Sequence, residues 1–196
     1  MRKIFHGLVA ATAAAILVAQ SVWAATDPSQ LVTSVTAQVT DIVKTKSGAS
    51  REAAIREVLR NSFDLPHMGR LALGPHWNEA SEQQRARFLA AFETAEARAY
   101  SERLGKLAAY TLTIDKVVAR ASGVWIVNAL LSKASGQLIK LEWEVHDNGQ
   151  GPRIADVKVA GVSMSQIKRS EFNSYIQNNG GTVEPLVQQL EARAGR

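Results

Sequence analysis

Along this chain the spacing of apolar side chains switches between two periods, near 3.6 residues and 2 residues. Leu31, Val35, Val39 and Ile42 recur at helical spacing behind Asp27-Pro28, an N-cap residue followed by proline at the first helical position. Ser50 is expected to open a second helix carrying Ile55, Val58 and Leu59. Asp64-Leu65-Pro66 restarts the chain into a short helix with Met68, Leu71 and Leu73, which Gly74-Pro75 should stop. Ser81 with Gln84 has the spacing of a capping box, and it introduces the longest helical stripe: Phe88, Phe92, Ala95, Ala99, Tyr100, Leu104 and Leu107.

From Tyr110 the period falls to 2. Tyr110, Leu112 and Ile114 alternate with Thr111, Thr113 and Asp115, and a more continuous apolar strand runs from Val124 to Leu131 after Gly123. Residues 139–146 are apolar on one face and charged on the other, with Lys140, Glu142 and Glu144 on the charged side. Asn148-Gly149-Gln150-Gly151 is turn material, and Ile154 to Val162 is the fourth strand. Helical spacing then returns through Met164, Ile167, Phe172, Tyr175 and Ile176, and Asn178-Asn179-Gly180-Gly181 ends it. Thr182 is expected to cap a last helix bearing Leu186, Val187 and Leu190. Four short strands with tight turns make an antiparallel meander with one wet face, and the helices hold the stripes able to cover the dry one. The fold class is therefore α+β: a curved four-stranded antiparallel sheet covered by helices on one side.

The N-terminus changes this picture. Met1-Arg2-Lys3 is basic, Gly7 to Ala19 is apolar, and Val22 and Ala24 occupy the small-residue positions of a signal-peptidase site. An uninterrupted run of 13 residues is short of the roughly 20 that a membrane span requires. Residues 1–24 are thus expected to be a cleaved signal peptide, making the protein periplasmic and leaving residues 25–196 as a single domain. Without cysteine, that domain must hold together through its core. The net charge of +5 falls to +3 once Arg2 and Lys3 leave, too mild an excess to indicate a nucleic-acid partner.

Candidate chemistry is sparse. Beyond the signal the histidines are His67, His76 and His146, and they form none of the spacings that bind metal. Glu142 and Glu144 share a strand face and read as solvated side chains rather than a catalytic pair. No nucleophile elbow, phosphate loop or dinucleotide fingerprint occurs, so no catalytic residue, metal or cofactor is expected. Trp125 and Trp143 would suit either core packing or stacking on a ligand.

Two long ordered stretches carry a resemblance. One is Phe63 to Trp77 (FDLPHMGRLALGPHW), followed by Ser81 to Phe88 and then Phe92. The other is Val157 to Met164 (VKVAGVSM), followed by Arg169-Ser170-Glu171-Phe172 and Gly180-Gly181. Together they resemble the periplasmic lipid-binding component of the Mla/toluene-tolerance ABC transport family, over about residues 31–190. Pro75-His76 and Asn78 depart from the pattern, standing where relatives commonly carry Arg-Tyr and Arg. The resemblance implies a wedge similar to the nuclear-transport-factor-like fold and a non-enzymatic lipid carrier. In such a carrier the acyl chains lie in an apolar cavity between sheet and helices, and the cargo is a phospholipid or, in one branch, a hopanoid. Implied partners are an inner-membrane complex of an MCE-domain protein with an ABC transporter, and an outer-membrane lipoprotein complex. The carrier is expected to be monomeric.

The residues expected to line such a cavity are Met68, Leu71, Phe88, Phe92 and Tyr100 from the earlier helices, and Phe172 from the late one. From the strands they are Leu112, Ile114, Trp125, Val127, Leu141, Trp143, Val157 and Val159. Two other readings fit the same residues: a periplasmic interaction module without cargo, and a small-pocket hydrolase or isomerase on the same fold.

Overall fold

A computed structural model describes residues 27–104 and 109–195. The expected signal peptide and Leu107 lie outside the described residues. The order of elements is helices, strands, helices, as the change of period requires. Helices α1 (Pro28–Thr45), α2 (Gly48–Ser62), α3 (Leu65–Leu73), α4 (His76–Glu79) and α5 (Glu82–Leu104) come first. Strands β1 (Tyr110–Ala121), β2 (Val124–Lys133), β3 (Leu138–Asp147), β4 (Pro152–Val159) and β5 (Val162–Ser163) follow, then α6 (Met164–Asn178) and α7 (Glu184–Ala194).

Side chains fix most of the boundaries. The Asp27 carboxylate accepts from the Ser29 amide at 2.8 Å, ahead of Pro28. The Asp64 carboxylate accepts from the His67 amide at 3.0 Å. At the start of α5 the capping box is reciprocal: the Ser81 amide donates to Gln84 Oε1 at 3.0 Å, and the Gln84 amide donates to Ser81 Oγ at 3.2 Å. Gly74 ends α3 at φ 58°, a left-handed conformation that glycine adopts without a Cβ penalty.

The five strands pair in sequence order, all antiparallel. Three boundaries differ from expectation. α2 begins at Gly48 behind Ser47, two residues before Ser50, and Ser47 forms no side-chain cap. The fourth strand stops at Val159, because Ala160 (φ 51°) and Gly161 (φ 85°) form a two-residue turn of the tight hairpin kind. That turn returns the chain as the fifth strand, with Val162 opposite Val159. Thr182 does not cap α7, whose N-cap is Val183 without a side-chain hydrogen bond. The helix is instead clamped to α5 by Arg87, which reaches Glu184 at 2.8 Å and Glu191 at 2.7 Å.

The sheet is irregular where it bends. β1 slips register between Ile114 and Lys116 and again between Ala119 and Ala121, and β3 slips against β4 at Glu144/Val145. Such bulges increase local twist and curvature. α1, α2 and α3 contact the sheet, while α5 packs on α2, α3 and α7. Phe63 bridges to Ile154 as α2 passes into α3, and the Asp64 amide donates to the Ile154 carbonyl at 2.9 Å. The charged strand face is wet as expected: Glu142 meets Lys158 across the ladder at 3.9 Å, and Glu144 meets His146 at 2.7 Å.

Candidate functional site

The buried apolar residues divide into two clusters. The larger holds the helices together with Val127, Val145 and Ile154 of the sheet, and the smaller consists of Ala129, Leu131 and Leu141. Most domains of this size have one contiguous core. Here a cavity of about 230 Å³ lies between the helices and the sheet, with walls drawn from both clusters.

One wall is α1. Val35, Val39 and Val43 stand four residues apart, with Thr36 and Thr40 beside them, so a row of short side chains faces the cavity. None of them is long enough to close the space with its own bulk. α2 adds Ile55, Val58 and Leu59, with Phe63 just after it, and α5 adds Tyr100 and Leu104 one turn apart. The sheet supplies the floor: Tyr110 and Leu112 from β1, Leu131 from β2, Ile139, Leu141 and Trp143 from β3, and Val157 and Val159 from β4. The strand register aligns that floor, since Leu141 opposes Val159 and Trp143 opposes Val157. Among the described residues the wall holds no carboxylate, amine, guanidinium or imidazole.

Of the fourteen residues expected at such a cavity, the structure brings six together on its wall: Tyr100, Leu112, Leu141, Trp143, Val157 and Val159. The other eight lie elsewhere. Phe88, Phe92 and Phe172 pack on one another, with ring centroids 5.6, 5.8 and 6.3 Å apart, and close the space between α5 and α6. Met68 belongs to the same interior, where Gly69 lets α3 approach so closely that an added Cβ would stand 2.5 Å from Leu89 Cδ2. Leu71 points outward from α3 and is 42% exposed. Val127 is sealed in the larger cluster, and Ile114 and Trp125 pack against it half-buried.

Most of the helical half of the wall is absent from the residues expected on sequence grounds. The available signal is the Val35-Val39-Val43 row with Thr36 and Thr40, a helical face made only of short β-branched residues. Leu104, Tyr110, Leu131 and Ile139 fall on the elements their periodicity predicts, but nothing local distinguishes a cavity-facing leucine from a packed one.

Polar groups behind the wall are held in place. The Asp156 carboxylate accepts from Ser163 Oγ and from the Ser165 amide, the latter at 3.1 Å, tying β4 to the start of α6. Glu96 of α5 is buried and pairs with Lys168 of α6 at 3.2 Å. Burial raises the Glu96 pKa above the ordinary carboxylate value, and the Lys168 charge opposes that rise. Tyr100, one turn further on, has its pKa raised mainly by burial and then by the charge of Glu96, so its phenol is neutral at physiological pH. Among the described residues no cluster of side chains could hold a metal ion, and no helix is long and apolar enough to cross a membrane.

The sequence model of the MlaC protein family matches residues 30–192. No curated protein matches the chain. A solved structure of a phospholipid-binding protein from Ralstonia solanacearum, in complex with a phospholipid, superposes with a TM-score of 0.70. It is 19% identical in sequence, and the match covers 86% of this chain and 97% of that one. At that identity the likeness establishes a shared fold.

Proposed function

The chain belongs to the MlaC protein family, and we propose that it is a soluble periplasmic lipid carrier that encloses the acyl chains of a phospholipid between α1, α2, α5 and the sheet. One observation carries the reading: a cavity of about 230 Å³ between helices and sheet, bounded mainly by aliphatic and aromatic side chains and without a charged group among the described residues. An apolar cavity of about 150 Å³ already stays dry and accepts a benzene ring, so a larger one with the same lining is a place for hydrocarbon. The Ralstonia solanacearum protein of the same fold was solved with a phospholipid, which supports that cargo here.

The wall also speaks against catalysis. Among its described residues it presents no carboxylate, imidazole, amine or thiol to act as base, acid or nucleophile, and its polar side chains are two threonines, two tyrosines and a tryptophan. The carrier reading accordingly has no enzymatic step.

Energetics dictates how such a carrier works. Burying a methylene contributes about 0.8 kcal/mol, so two acyl chains with roughly 30 methylenes, fully buried once the walls part to admit them, would stabilise the bound state by about 24 kcal/mol relative to water. That exceeds the practical ceiling of about 18–21 kcal/mol for noncovalent affinity, and free lipid in water is never a working intermediate. The protein must compete with a bilayer for its cargo and hand that cargo directly to a membrane-bound partner. We assign the partner roles to an outer-membrane lipoprotein complex and an inner-membrane complex of an MCE-domain protein with an ABC transporter.

Leu141 is the position to test. It is buried, sits on the floor, and belongs to the smaller cluster at the cavity rather than the main core. Leu141→Asp places a carboxylate where hydrocarbon must lie. Incubated with vesicles of labelled phosphatidylethanolamine and then separated from them, the wild-type protein should carry label. The folded Leu141→Asp protein should carry at least about tenfold less. Equal label on both proteins would remove this cavity from the function.

A further inference from the structure

The cavity wall is apolar except at a few points, and at two of those an aromatic donor has no acceptor among the described residues. Tyr100 lines the cavity from α5, and no hydrogen bond among the described residues engages its hydroxyl. The residue is half-buried overall and forms part of the cavity wall. Trp143 lines the same cavity from β3, and its Nε1 is sealed from water with no partner among the described residues. Both side chains belong to the wall of one cavity, Tyr100 on its helical side and Trp143 on the sheet.

Buried donors are nearly always paired, and an orphan one marks a place where something else supplies the acceptor. The chemistry of the pair narrows what that acceptor is. A phosphate in a low-dielectric site calls for arginine or lysine, and among the described residues the wall contains neither. A phenol and an indole N–H are neutral donors, matched to a neutral carbonyl. In a lipid the carbonyls closest to the hydrocarbon are the esters that join it to glycerol. Burial keeps the phenol protonated, so the donor is present throughout the physiological pH range.

We propose that Tyr100, with Trp143 as a second donor reached when cargo parts the wall, is the polar anchor of the cavity and donates a hydrogen bond to an acyl-ester carbonyl. The ligand class is then an ester-linked acyl lipid, selected over an equally apolar lipid lacking the carbonyl, and its depth in the cavity is set by where the ester meets α5. This inference rests on the lipid-carrier reading and adds a chemical specificity that apolar burial alone does not provide.

The test is a competition between two lipids of equal chain length. One is dipalmitoyl phosphatidylethanolamine and the other its di-O-hexadecyl counterpart, in which ethers replace both esters. Each protein is loaded from vesicles containing the two in equal amounts, and the bound ratio is read by mass spectrometry of the extracted lipid. The wild type should favour the ester by about tenfold, the worth of one or two well-placed neutral hydrogen bonds. In Tyr100→Phe the ratio should fall several-fold, and in the double variant with Trp143→Phe it should approach unity. Because both lipids are read from the same sample, partial loss of folded protein cancels from the ratio. Equal loading of both lipids by the wild type, or a preference intact in the double variant, would overturn the anchor while leaving the carrier reading standing. A wild-type protein that extracts neither lipid would overturn both.

Discussion

His76 is placed so that only its charged form satisfies both of its neighbours. Its Nδ1 lies 2.7 Å from a Glu79 carboxylate oxygen and its Nε2 lies 3.0 Å from Asn173 Oδ1, so both ring nitrogens face acceptors. A neutral imidazole has a single N–H, and the imidazolium has two. Burial alone would lower the pKa, but the hydrogen bonds to Glu79 and Asn173 and the charge of Glu79 outweigh it, and the value lies above the ordinary 6.5. A group whose pKa rises on folding adds stability that is fully present below its unfolded value and is lost as pH climbs through the folded one. The link between α4 and α6 should therefore weaken on the alkaline side of about pH 6.5. Thermal melts of wild type and His76→Gln at about pH 5.5 and about pH 8.5 check this, with a wider gap between the proteins expected at the acid pH. A gap independent of pH would contradict the assignment.

At the scale of elements, local chemistry decides where helices start, and much of that chemistry is legible in the sequence. The capping box at Ser81 is an example, and its contribution can be measured. Ser81→Ala should cost about 1 kcal/mol, read as a melting temperature lower by about 2–4 °C for a domain of this size. An unchanged melting temperature would mean that the α5–α7 clamp through Arg87 holds the helix start without its cap. The switch of period at Tyr110 likewise locates the sheet, because alternation is a property of the strand itself. The reverse turn at Ala160-Gly161 is less legible, since an alanine at positive φ carries no sequence signal, and the short fifth strand merges into the fourth. Thr182 misleads for a related reason: what holds α7 is an arginine from a helix roughly a hundred residues earlier.

For the molecule as a whole, the decisive quantity is the space left between facing surfaces, which no single element reveals. The strand residues on the cavity floor are legible because alternation assigns a face, and Leu112, Leu141, Trp143, Val157 and Val159 are on it. Phe88, Phe92 and Phe172 read as equally suitable walls, yet they fill one another's space. The Val35-Val39-Val43 row reads as ordinary core and instead leaves a gap. Whether a face packs or stands off depends on the side chains opposite, and those come from distant segments. The outcome is a core of two buried clusters, joined through half-buried Leu112, Ile114 and Trp143, with an apolar-lined space between helices and sheet. Leaving that space costs dispersion contacts and apolar burial that an occupant would restore.

Occupancy is the direct test. The chain, purified without added lipid from cells that export it, should be weighed by native mass spectrometry and again after denaturation, with the released lipid identified. A carrier of this kind should show one adduct of phospholipid mass per chain, absent from the denatured protein. A bare protein mass that persists after incubation with phospholipid vesicles would contradict the carrier reading.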